Sequence, residues 1–98
     1  MWDATVDPMK VSALPGADLV ERGVADLAGG TETAEALLVS IAAAKLRALG
    51  VDVPPPLDEP ELRLYRLLAR EDEDSAHGRY NALVRRLVSF ERALACAS

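Results

Sequence analysis

Residues 31–50, TETAEALLVSIAAAKLRALG, decide the fold. Thr31 follows Gly29-Gly30 and brings a hydroxyl that suits a helix cap, and Glu32 and Glu35 place negative charge where the unpaired N–H groups of a first turn point. Lys45 and Arg47 lie in the last turns, and Gly50 is the residue type that takes left-handed backbone beyond a helix end. Between these signals, Ala34 to Ala44 holds only two polar residues, Glu35 and Ser40. At about 100° per residue, Leu37, Leu38, Val39, Ile41, Leu46 and Leu49 spread over more than half the circumference. Such a helix is expected to be central and covered from several sides, with Ala36, Ser40 and Ala43 forming a narrow face where a neighbouring helix comes close. The run is shorter than the ~18–20 residues a bilayer span requires and is broken by charge, so no membrane segment is read here.

Toward the N-terminus, Pro15-Gly16 opens a helix to about Ala28, with Leu19, Val20, Val24 and Leu27 on one side. Gly23 falls within that apolar arc at a cost of about 1 kcal/mol relative to Ala, which points to a close helix contact. Residues 1–14 show no periodicity and read as a mostly irregular tail, with Trp2 a side chain that could dock on the bundle.

Toward the C-terminus, VDVPPPL cannot be helical, because three successive prolines lack N–H donors and favour extended backbone. It reads as a strap between helices rather than a proline-recognition ligand, since a spaced P-x-x-P is lacking. Asp58 and Glu61 have capping-box spacing around Pro60, which starts a third helix. Leu62, Leu64, Tyr65, Leu67 and Leu68 are expected to cover its apolar arc, opposite Arg63, Arg66 and Arg70. The acidic run Glu71 to Asp74 reads as a solvated loop leading to a fourth helix capped by Asp74 or Ser75, and it lacks the glycine and ligand spacing of a calcium loop. Along that fourth helix Tyr80, Leu83, Leu87, Phe90 and Leu94 form a heptad seam, suited to a bundle contact or a dimer.

The prediction is an all-α single domain over residues 1–98, a four-helix bundle with helices near 16–28, 31–49, 59–71 and 76–95 and a proline-rich strap between helices two and three. Composition agrees: half of the 98 residues are hydrophobic but only 4% aromatic, and alanine, leucine and valine dominate. The net charge of −5 argues against general nucleic-acid binding. A single cysteine, Cys96, excludes an internal disulfide and, with one histidine, makes no metal site; no secretory signal is read at the N-terminus, and a cytoplasmic chain without metal or cofactor is expected.

No nucleotide, hydrolase or metalloprotease signature is present. The residues left for chemistry are Arg70 and the cluster His77, Tyr80 and Asn81. Arg70, six residues and His77 resemble the R-x4-6-H motif of the HEPN family, small all-α bundles whose members include ribonucleases and nucleotidyltransferase partners. The resemblance implies an RNA-cleaving site built from Arg70 and His77, although Glu71 stands where the family often has Asn or Asp. Two charges break the apolar pattern: Lys45 amid Leu37, Leu38, Ile41 and Leu49, and Glu91 beside Tyr80, Val84, Leu87 and Leu94. They are predicted to lie at the same end of the bundle and to pair, directly or across an interface. With so few catalytic groups, the expected function is protein–protein contact, through a homodimer or a larger partner, and the ribonuclease is the alternative.

Overall fold

The computed structural model describes residues 13–97, so the reading of an irregular N-terminal tail, with Trp2, lies almost entirely outside the described residues. Over the described residues the chain is all-helical, with 71% of them in helix and no strand. The helices are α1 (Ala17–Ala28), α2 (Ala34–Ile41), α3 (Ala43–Ala48), α4 (Pro60–Glu71) and α5 (Ala76–Ala97).

Gly16 starts α1 in left-handed backbone (φ 78°), and a Cβ there would lie 2.6 Å from the Arg86 carbonyl oxygen of α5. Both the conformation and the contact call for glycine. At its other end, Gly30 takes φ 74° and the Thr31 N–H donates to the Asp26 carbonyl (2.8 Å), turning the chain back on itself. Helices α1 and α2 then pack so closely that a Cβ at Gly23 would collide with the Glu35 carbonyl oxygen and Val39 Cγ2. The propensity penalty at Gly23 thus has the structural reason expected of it.

The expected second helix, 31–49, differs from the observed one in two respects. It begins at Ala34 because Thr33, not Thr31, is the cap: Thr33 Oγ1 accepts from Ala36 N–H (3.1 Å) and donates to Asp26 Oδ2 of α1 (2.6 Å). It is also interrupted at Ala42, whose N–H donates to the Val39 carbonyl (3.2 Å) in a tightened turn. Two residues earlier, Ser40 Oγ donates to the Ala36 carbonyl (2.8 Å) and accepts the Leu57 N–H of the strap (3.0 Å). Serine back-bonding of this kind bends helices, and here the strap holds it in place. The stop agrees with its signal: Gly50 (φ 96°) donates to the Arg47 carbonyl (3.0 Å) and Val51 to that of Leu46 (2.9 Å), the Schellman arrangement.

The strap is stapled down along its length. Val51 and Val53 are buried, and Arg47 donates to the Val53 carbonyl from Nε (3.2 Å) and Nη2 (2.9 Å) and to that of Pro54 (3.1 Å). It delivers the chain to α4, where the expected capping box does not form. Glu59 is the cap residue, in left-handed backbone (φ 46°) and without a side-chain capping bond, while the Asp58 carbonyl receives Arg63 Nη1 (3.1 Å). At the next corner Asp72 Oδ1 takes the Asp74 N–H (3.1 Å) and Ser75 Oγ donates to the Asp72 carbonyl (3.4 Å).

The core lies around α2, whose residues Ala36 to Ser40 are all buried. Leu19 and Val20 of α1, Leu46 of α3, Leu64 and Leu68 of α4, and Leu87, Phe90 and Leu94 of α5 close around it. The heptad seam of α5 is therefore spent inside the chain, with Tyr80 and Leu83 at its partly buried edge.

Candidate functional site

The corner between α4 and α5 gathers the residues singled out for chemistry. His77 lies in the first turn of α5, exposed, and Asn81 sits one turn later at the spacing that stacks side chains on a helix face. Their side chains meet at 3.2 Å; with the Asn81 amide donating, His77 Nε2 accepts and the neutral ring carries its proton on Nδ1. No carboxylate orients the ring among the described residues, so the arrangement lacks the acceptor that usually activates a histidine base. Arg70 is exposed in the last turn of α4 and makes no hydrogen bond or ion pair among the described residues. No hydrogen bond joins it to His77. The arginine that ties this corner together is Arg79, which meets Glu71 at 2.7 Å.

Tyr80 faces α4 rather than the solvent side that His77 occupies. Its ring lies 6.1 Å from that of Tyr65, tilted by 53°, the inclined geometry aromatic pairs favour. Burial, then the negative charge of Glu61, raises its phenol above the ordinary tyrosine pKa.

A second place of interest is the Lys45–Glu91 contact, with Lys45 Nζ 3.8 Å from Glu91 Oε1. The two ends differ in environment: the Glu91 side chain is only 7% exposed and that of Lys45 is 66% exposed. Lys45 thus reaches water along its stem and still offers charge to a carboxylate held in the core wall. At that exposure the pair contributes little to stability, and its chief effect is to give a buried carboxylate a counter-charge.

A cleft of about 450 Å³ lies between α1 and the strap, with Val24, Ala25, Ala28, Val51 and Pro54 as apolar walls and Glu21 and Asp52 as its acids. It holds no histidine, cysteine or serine. Among the described residues no three His, Cys, Asp or Glu side chains come together as a metal site, the acidic run included, and none of the helices is long and apolar enough to cross a membrane. Cys96 is exposed near the end of α5.

The outer side of α4 corrects the arc read from the sequence. Leu64 and Leu68 are buried, but Leu62 is 45% and Tyr65 40% exposed, the large apolar side chains most open to solvent among the described residues. With partly buried Ala69 they make a stripe at spacings of three and four, the pattern of a helix with a second face to cover. A single sequence periodicity cannot tell two narrow apolar stripes from one broad one, and only the docking of α4 separates them. Comparison of the chain with protein-family models, with curated proteins and with solved structures finds no match.

Proposed function

We propose that this chain acts through protein–protein contacts, as a homodimer in the reducing cytoplasm, and that α4 carries the contact. The observation that supports this is the exposure of Leu62 and Tyr65 on one stripe, beside the Tyr65–Tyr80 ring pair. The reading treats α2 and α3 as one helix kinked at Ala42, which makes the architecture a four-helix bundle with its strap. The heptad seam of α5, which suggested a dimer in the sequence, is occupied by the chain's own core, so self-association moves to α4.

The HEPN-like ribonuclease is the second reading, favoured by the His77–Asn81 contact beside Tyr80. It requires Arg70 and His77 to converge on one phosphate, and among the described residues no hydrogen bond or ion pair joins Arg70 to a partner. Light scattering over a concentration series, together with an RNA-degradation assay, tests both. A dimer mass that dissociates on dilution, with no RNA cleavage above background, is expected; a monomer at every concentration removes the homodimer, and cleavage abolished by His77→Ala replaces the contact reading with the enzyme.

A further inference from the structure

Charge is distributed along α4 in a way that the other described residues leave largely unused. The exposed acids Asp58, Glu59 and Glu61 cluster at its start, and Arg66 and Arg70 stand exposed along its second half. Acids outnumber bases in this protein by 16 to 11, and Arg22, Arg63, Arg79 and Arg86 each lie against a carboxylate. Arg66 and Arg70 have none among the described residues, although they flank the exposed Leu62–Tyr65 stripe. Spaced four apart, they also repel one another mildly. Among the described residues Arg85 and Arg92 of α5 have no carboxylate either, but their face is lined by Ala82, Ser89 and Cys96, with no large apolar side chain to anchor a partner.

We infer that α4 is a self-recognition helix: a second copy of this chain docks on it antiparallel, stripe against stripe, with Arg66 and Arg70 of each copy facing the acidic start of the other's α4. The inference rests on the homodimer reading and adds the direction and the charge pairing of the two helices. Two identical helices with acid at one end and base at the other attract only when they run in opposite directions, and antiparallel packing also aligns their dipoles favourably. The register that sets Leu62 against the other copy's Tyr65 brings the half of each α4 that carries Arg66 and Arg70 alongside the acidic start of the other. A parallel pair sets acid against acid. Glu59, at the position this pairing uses, holds left-handed backbone (φ 46°). A helix of this length is about 18 Å long, so the contact falls at the small end of specific interfaces and the dimer is concentration-dependent.

Sedimentation equilibrium of the full chain tests the pairing with two charge-reversed variants, Arg66→Glu with Arg70→Glu and Glu59→Arg with Glu61→Arg. The wild type is expected to dimerise, and each variant alone to bind itself at least about tenfold more weakly. An equimolar mixture of the two is expected to regain dimer mass, because one surface is then mainly acidic and the other mainly basic. A dimeric wild type whose variants associate equally well overturns the inference and leaves the homodimer on another face. Folded variants that stay monomeric when mixed also overturn it, and a monomeric wild type overturns both readings. Circular dichroism verifies folding, and should either variant fail to fold, Leu62→Ser carries the test, with unchanged association again the overturning result.

Discussion

Five successive residues of α2, Ala36 to Ser40, are buried, whereas α4 buries Leu64 and Leu68 and leaves Leu62 and Tyr65 outside. The two helices do not differ in how strongly they attract apolar neighbours but in how many neighbours reach them. Gly23 lets α1 approach α2 to backbone distance, the Ser40 hydroxyl pins the strap on another side, and α4 and α5 complete the enclosure. Helix α4 meets the core along one line, and none of the described residues covers Leu62 and Tyr65 on the other. A chain of this length has too few elements to cover every apolar stripe, and the uncovered one is where contact with another molecule is least opposed.

The largest test of this contrast compares one leucine from each helix. Leu38→Ala on α2 should cost about 2–5 kcal/mol of unfolding free energy, because a cavity opens where the side chain was fully enclosed. Leu62→Ala should stay within about 0.5 kcal/mol in the monomer, as surface substitutions do. Urea unfolding at low protein concentration measures both, and equal losses would mean that α4 is as enclosed as α2. A smaller effect is expected at Gly23, where an alanine methyl would strike the Glu35 carbonyl and Val39. The gain in helix propensity offsets part of the clash, leaving a net loss of about 1–2 kcal/mol; an unchanged unfolding midpoint would show that α1 and α2 can move apart freely.

The smallest effect concerns the rim between the two helices of the α4–α5 corner. Tyr80 carries a phenol pKa raised by burial and then by Glu61, so its neutral form is favoured in the folded chain. Its stabilising contribution is complete below the ordinary tyrosine value of about 10 and is lost as pH rises through the raised one. A spectrophotometric titration of the Tyr65→Phe variant reads Tyr80 alone, since the chain has two tyrosines. Adding Glu61→Gln should lower the midpoint yet leave it above that of free tyrosine; no movement would show that Glu61 lies too far away to act.

Much of the fold was legible because its signals are local. The end of α1 at Gly29-Gly30, the Schellman stop at Gly50, the proline strap and the entry into α4 at Pro60 each depend on backbone freedom or a missing donor, which a residue carries with it wherever it stands. The start of α2 was less legible, since Thr31 and Thr33 are equally good caps and the choice falls to Thr33 through its bond to Asp26 of another helix. Of the candidate residues, Lys45 and Glu91 could be singled out because a charge in an apolar period is conspicuous in one dimension. The exposure of Leu62 and Tyr65 could not, because their spacing is the same whether or not a neighbour covers them.

The sequence by itself determined that the chain is helical, where most of its helices end, and that the second predicted helix lies at the centre, since these follow from propensity, periodicity and caps acting over a few residues. Only the tertiary structure decided that this helix breaks at Ala42, that the seam of α5 is consumed within the chain, and that α4 keeps one apolar stripe in water. Those outcomes depend on which surfaces compete for burial against the same core, and that competition is settled among residues far apart in sequence.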